Sequence, residues 1–157
     1  MELDRAKNIV AKLLSYKMYT CSEVHRKLLQ KGISEETADI AVAEFCKAGI
    51  LNDAEYAGAY IHDGVLVHMK GLYRIRQELL QKGIAPGIIE KAMRDTEADT
   101  EAQLREYVEL RFLGKEFSDW RELEKAKAHL VRRGFGISEI NRCFNELDIK
   151  VKKGDID

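Results

Sequence analysis

The 157-residue sequence contains one proline, Pro86, and no apolar run long enough for a membrane-spanning helix. It lacks the Val/Ile/Thr alternation of half-buried strands, which argues against an all-β sandwich. Its three cysteines, Cys21, Cys46 and Cys143, are odd in number and form no CxxC pair. They read as small, reduced core residues of a cytoplasmic protein rather than as a disulfide framework or a zinc site. A surplus of either charge is missing as well: 26 Lys+Arg against 27 Asp+Glu leaves a formal net charge of -1. Proteins that live on bare nucleic acid carry a basic surplus, because phosphate neutralisation supplies most of their non-specific affinity. Any contact with nucleic acid is therefore expected to be local or shared with a protein partner. The charged opening residues, Met1 to Lys7, show no apolar core of a secretory signal.

Catalytic signatures are absent too. There is no phosphate-cradling glycine loop and no nucleophile elbow. His62 and Asp63 are neighbours in sequence and would point apart on a helix, and His68 follows at a poor ligand spacing. Glu97, Asp99 and Glu101 read as a solvated linker rather than a cation site. With no polar groups converging on one place, the expectation is a protein that is not an enzyme and needs no cofactor or metal.

What the chain has in quantity is apolar residues (45%) and charge (34%). That mixture suits amphipathic helices with one apolar stripe and one charged face. Leu28-Leu29-Gln30-Lys31-Gly32-Ile33 returns as Leu79-Leu80-Gln81-Lys82-Gly83-Ile84, and again, more loosely, as Leu130-Val131-Arg132-Arg133-Gly134-Phe135. The glycines are 51 residues apart in both steps. In the register they set, Cys21/Leu72/Leu123, Val24/Ile75/Ala126 and Leu28/Leu79/Leu130 form one helical stripe. Ala6/Ala57/Val108 and Val10/Ile61/Phe112 mark an earlier helix. Ala38/Ile89/Ile140 and Ala41/Ala92/Cys143 mark a later one. Met18, Met69 and Trp120 align where a large apolar residue would pin the start of the middle helix.

Helix punctuation agrees with this division. Thr20 with Glu23 forms a capping-box pattern, and a cation followed by glycine closes each middle helix. The fold expected is all-α, with three tandem three-helix repeats over 4–51, 52–95 and 97–148 in an elongated, curved array. The first helix of the third repeat departs most. Arg111, Lys115 and Glu116 stand where the first repeat has Ile9, Leu13 and Leu14, so poor packing is expected there.

Three segments carry a family resemblance. Thr20-Cys21-Ser22-Glu23-Val24 with Lys27-Leu28-Leu29-Gln30-Lys31-Gly32 resembles the S-x-x-E-L-x-x-K-L-x-x-K-G stretch of the RecX family. Leu51-Asn52-Asp53-Ala54-Glu55-Tyr56-Ala57 with Tyr60-Ile61 resembles its L-D-D-x-x-F-A-x-x-Y-V signature. Lys70-Gly71, Arg74-Ile75, Glu78-Leu79 and Lys82-Gly83-Ile84 resemble its central segment. Val24, Asn52 and Tyr56 depart from the usual Leu, Asp and Phe, in ways compatible with the same packing. The terminal repeats are polar enough to cap the array, so a monomer away from any membrane is expected. The resemblance implies a regulator that lies in the groove of a RecA filament on single-stranded DNA. It implies restraint of ATP hydrolysis, strand exchange and co-protease activity, with any contact to the DNA made locally inside that filament.

The residues expected to meet the partner are those off the apolar stripe. On the middle helices these are Arg26, Lys27, Arg74, Gln77, Lys125 and Lys127, with Lys70 just ahead of the second helix. Lys31, Lys82, Arg132 and Arg133 gather at the glycine turns, and Tyr73, off the stripe beside Arg74, is the candidate interface aromatic. An ordinary solvated helix face is the plainer account of each cation taken singly. Two rival functions stay open: a helix-turn-helix-like module acting directly on DNA, and a scaffold for an unrelated protein.

Overall fold

The computed structural model describes residues 1–152, and among them it contains nine α-helices and no strand. The helices are α1 (Glu2–Tyr16), α2 (Cys21–Gln30), α3 (Glu35–Lys47), α4 (Asp53–Leu66), α5 (Leu72–Gln81), α6 (Pro86–Asp95), α7 (Thr100–Phe112), α8 (Trp120–Arg132) and α9 (Ile137–Glu146). The one extended pairing among the described residues is an isolated parallel bridge between Phe117 and Val151. No helix of the described residues is long and apolar enough to cross a membrane.

Local chemistry explains where the helices start and stop. Thr20 accepts from the Glu23 amide while the Glu23 carboxylate accepts from the Thr20 amide, a complete capping box on α2. Ser34 caps α3, Asn52 Oδ1 caps α4 and Pro86 opens α6. Gly32, Gly83 and Gly134 take φ of +84°, +84° and +102°. This left-handed turn lets the amides of Ile33, Ile84 and Phe135 bond back to the carbonyls of Leu28, Leu79 and Leu130. The following apolar residue is buried in all three cases.

The described chain divides into two compact units. The first holds Met1–Tyr60 and Glu78–Asp95. Its core joins Ala6 and Val10 of α1, Val24 and Leu28 of α2, and Ala38 and Ala41 of α3. The second holds Ile61–Gln77 and the described residues from Thr96 onward. There Phe112 lies between Phe117 and Phe144, at ring-centroid distances of 6.2 and 6.1 Å, above Leu123, Leu130 and Ile140. The middle repeat is thus shared: the end of α4 and most of α5 go with the third repeat, and α6 goes with the first.

Two packing expectations need correction. Poor packing of α7 is not found, because it buries Leu104, Tyr107, Val108 and Phe112. It achieves this by starting and ending early. It stops at Phe112, the counterpart of Val10, so Lys115 and Glu116 fall in the loop that follows rather than on a helix face. Nor does the Met18/Met69/Trp120 position pin helix starts throughout. Met69 packs on the second unit's core, but Met18 is 47% and Trp120 69% exposed. Trp120 is already the first residue of α8, which starts one turn earlier in the repeat than α2 and α5 do.

Candidate partner-binding surface

In the first unit the start of α2 is held by backbone-directed bonds. The Thr20 hydroxyl donates to the Lys82 carbonyl at 2.8 Å, and the Cys21 amide donates to Asp53 Oδ1 at 2.9 Å. Middle helix and next glycine turn are so close that a Cβ on Gly83 would overlap Ser22 Oγ. The Lys82 ammonium lies 5.9 and 5.4 Å from the stacked rings of Tyr56 and Tyr60, and 3.8 Å from Glu23. Burial works against its charge, but the hydrogen bond with Tyr56 and the Glu23 carboxylate outweigh that and hold the ammonium above the usual lysine range. Arg26 and Lys31 are exposed, and Lys31 offers its carbonyl to Arg5 at 2.8 Å. Lys27 is half-buried with its ammonium 5.7 Å from the Tyr19 ring.

The second unit contains the same joint one repeat later. The Gly71 amide donates to the Arg133 carbonyl at 2.8 Å and the Tyr73 amide to the Gly134 carbonyl at 3.1 Å. Gly71 is the counterpart of Thr20, and Arg133 of Lys82, so the 51-residue step relates the joints as well as the helices. The Arg133 guanidinium donates to the Met69 carbonyl at 3.2 and 3.3 Å and also to the His68 carbonyl, and lies 4.7 Å from the Tyr107 ring. Tyr73 is 61% exposed, with the Arg76 guanidinium 5.7 Å from its ring. Arg74, Gln77, Lys125 and Arg132 are exposed. Lys70 and Lys127 are half-buried, the latter 5.8 Å from the Phe144 ring.

Beneath Arg133, Tyr107 and His129 meet with the phenol oxygen 2.6 Å from Nε2. Burial, with Arg111, Arg133 and Arg132 nearby, holds His129 below the usual histidine range and favours the neutral ring beside the phenol. The unfolded chain therefore takes up the His129 proton more readily than the folded one. The associated stability is full above the ordinary histidine pKa of about 6.5 and is lost as pH falls through it toward the depressed folded value. Urea midpoints of the wild type should drop relative to His129→Gln as pH falls from about 7 to 5. Parallel curves for the two proteins would contradict this assignment.

Against this geometry, comparison with known proteins is direct. Two family profiles match: RecX, first three-helix domain, over residues 6–45, and RecX, second three-helix domain, over residues 52–93. The Regulatory protein RecX of Trichlorobacter lovleyi is 32% identical over 142 residues, covering 86% of this chain and 90% of that protein. That of Caldanaerobacter subterraneus subsp. tengcongensis is 34% identical over 151 residues, 92% and 72% of the two chains. The chain belongs to the RecX family. The crystal structure of RecX from Lactobacillus salivarius matches it with a TM-score of 0.77 at 26% identity, over 95% of this chain and 98% of that one. The RecX relatives are named regulatory proteins, and a regulatory role is the class this chain shares.

For a RecX protein the structure sorts the sequence-selected residues into two kinds. Lys82 and Arg133 are engaged in internal contacts at the joints, while Arg26, Lys31, Tyr73, Arg74, Gln77, Lys125 and Arg132 are presented at the surface. It also adds residues. Arg111, Lys115 and His129 join Lys125 around a cavity of about 330 Å³ between α7 and α8, floored by Phe112 and flanked by Glu116 and Glu122. The sequence did carry a signal for two of these: Arg111 and Lys115 are charges at positions that are apolar in the first repeat. The apolar trio Leu29, Leu80 and Val131 lies outside the buried stripe, at 37 to 48% exposure. It follows the stripe by one residue, and one residue turns a helix by about 100°. Among the described residues no group of three or more His, Cys, Asp or Glu could hold a metal ion.

Proposed function

We propose that this RecX protein binds the filament that RecA forms on single-stranded DNA and restrains its ATP hydrolysis, strand exchange and co-protease activity, acting by binding rather than by catalysis. The observation that carries the reading is the exposed set on α5. Tyr73, Arg74 and Gln77 sit at i, i+1 and i+4, an aromatic anchor with a forked cation and an amide on neighbouring positions of one helix. Such a set suits a protein surface, and a chain with a formal net charge of -1 suits a partner that is mostly protein. The three repeats over 4–51, 52–95 and 97–148 would each bring a middle helix and a glycine turn to that partner. Of the cations at the glycine turns, Lys31 and Arg132 are exposed for it, while Lys82 and Arg133 serve the joints.

The test is RecA's ATPase rate on single-stranded DNA as the protein is titrated in, with binding to naked DNA measured in the same buffer. Strong inhibition well below the RecA concentration, with weak DNA binding, is expected. The combined variant Tyr73→Ala, Arg74→Glu, Gln77→Glu should need roughly tenfold more protein for the same inhibition, with its urea midpoint measured alongside to separate a lost contact from a lost fold. An unaffected ATPase together with tight, salt-sensitive binding to naked DNA would instead favour a module acting directly on nucleic acid.

A further inference from the structure

The sequence offers no cysteine motif, but the fold makes a pair. Cys21 opens α2, Cys46 stands one residue before the end of α3, and their sulfurs are 2.9 Å apart. The expectation of three buried core thiols holds for Cys143 alone: Cys46 is exposed and Cys21 half-buried. The position of the pair gives it a consequence. Cys21's amide is bonded to Asp53 at the head of α4, and Thr20 beside it is bonded to the Lys82 carbonyl. Cys46 lies where α3 runs out into the segment that leads to α4. One bond between the two sulfurs would tie the end of α3 to the start of α2, the helix end that carries the joint in the first unit.

We propose that Cys21 and Cys46 are a reversible oxidation site, closed to a disulfide by a peroxide and reopened by a dithiol reductant, that clamps α2 to α3 at this joint. The sulfurs need to approach by less than 1 Å to reach a bond of about 2.05 Å. Exposure decides the order of events, because the peroxide reaches Cys46 first. The Cys46 thiolate attacks one peroxide oxygen, the O–O bond breaks and hydroxide leaves, giving a sulfenic acid. Cys21 then attacks the Cys46 sulfur, the S–O bond breaks and the oxygen leaves as water with Cys21's proton. The two thiols and hydrogen peroxide become a disulfide and two waters. Burial, the Cys46 thiol and the Asp53 carboxylate all push the Cys21 thiol up, so it resists direct attack by oxidant and acts through its nearness to the oxidised neighbour. A dithiol reverses the sequence by thiol–disulfide exchange at the exposed Cys46 sulfur.

The experiment treats the full chain with hydrogen peroxide, alkylates remaining thiols under denaturing conditions and maps peptides by mass. Two of the three alkylatable thiols should be lost, with a 21–46 cross-linked peptide that is two hydrogens lighter and disappears after dithiothreitol. Cys143→Ser should keep the cross-link and Cys46→Ser should lose it. The oxidised wild type should unfold at higher urea concentration than the reduced form. Peptide mapping of the wild type stands even if a variant folds poorly, and neither readout involves RecA, so a failed filament reading leaves the test intact. Cys21 remaining alkylatable while Cys46 passes to sulfinic acid would overturn the site. A bond that forms without raising the urea midpoint would overturn the clamp.

Discussion

Replacing Gly134 by alanine should cost about 4 kcal/mol or more of the second unit's stability, while the same change at Gly32 should cost only about 1–2 kcal/mol. Both glycines hold the same repeat position and both have positive φ, +102° and +84°. The left-handed strain on an L residue is therefore common to them. What differs is the neighbourhood. A Cβ on Gly32 meets nothing within 4 Å. On Gly134 it would stand 2.5 Å from the Arg74 backbone nitrogen and 2.6 Å from the Gly71 carbonyl oxygen, and backbone cannot rotate out of the way. Gly83→Ala should fall between, at roughly 2–3 kcal/mol, since its Cβ meets the small Ser22 side chain. Gly71→Ala should resemble Gly134→Ala, because its Cβ would overlap the Gly134 carbonyl from the other side of the same joint. Urea unfolding of the four variants checks the ranking. Equal losses at Gly32 and Gly134 would mean that turn strain alone, not the joint, governs the position.

Arg133→Ala is the second large effect, expected at about 2–4 kcal/mol on the same unit. Its guanidinium caps the end of the α4 segment through the His68 and Met69 carbonyls, and charged donors to such groups are worth about 1.5–3 kcal/mol when removal leaves them unpaired. Its position 4.7 Å from the Tyr107 ring adds a cation–π contact of roughly 0.5–1 kcal/mol or more. Met69 needs this support, having a φ of +50° without being glycine. Lysine keeps the charge but loses the fork, so Arg133→Lys should recover no more than about half of the loss. An unchanged midpoint in Arg133→Ala would free this side chain for the partner and remove its structural role.

Much of the fold was legible because its signals are local or periodic. The glycine spacing located three left-handed turns, and aligned positions such as Val24/Ile75/Ala126 and Leu28/Leu79/Leu130 are buried throughout. The joints were not legible, since they are built from amides and carbonyls that every residue possesses: Gly71 to Arg133, Tyr73 to Gly134. The inward turn of Arg133 and Lys82 was hidden for a related reason. A cation beside a C-terminal glycine looks the same whether it serves the helix end, a neighbouring ring or a partner. The Cys21–Cys46 pair escaped because 25 residues and a helix turn separate two positions that packing brings together.

The early start of α8 has a consequence for how such chains grow. Each joint is directional, a middle-helix start receiving the turn of the following repeat, and a motif of that kind can in principle be extended indefinitely by gene duplication or by head-to-tail stacking of copies. The next donor to such a turn would be Glu122, the counterpart of Thr20 and Gly71. In α8 that residue is already inside the helix, and its amide is spent on Asp119 Oδ1 at 2.9 Å. One extra helical turn thus gives the third repeat a helix start whose amide is turned to its own cap rather than outward to another repeat.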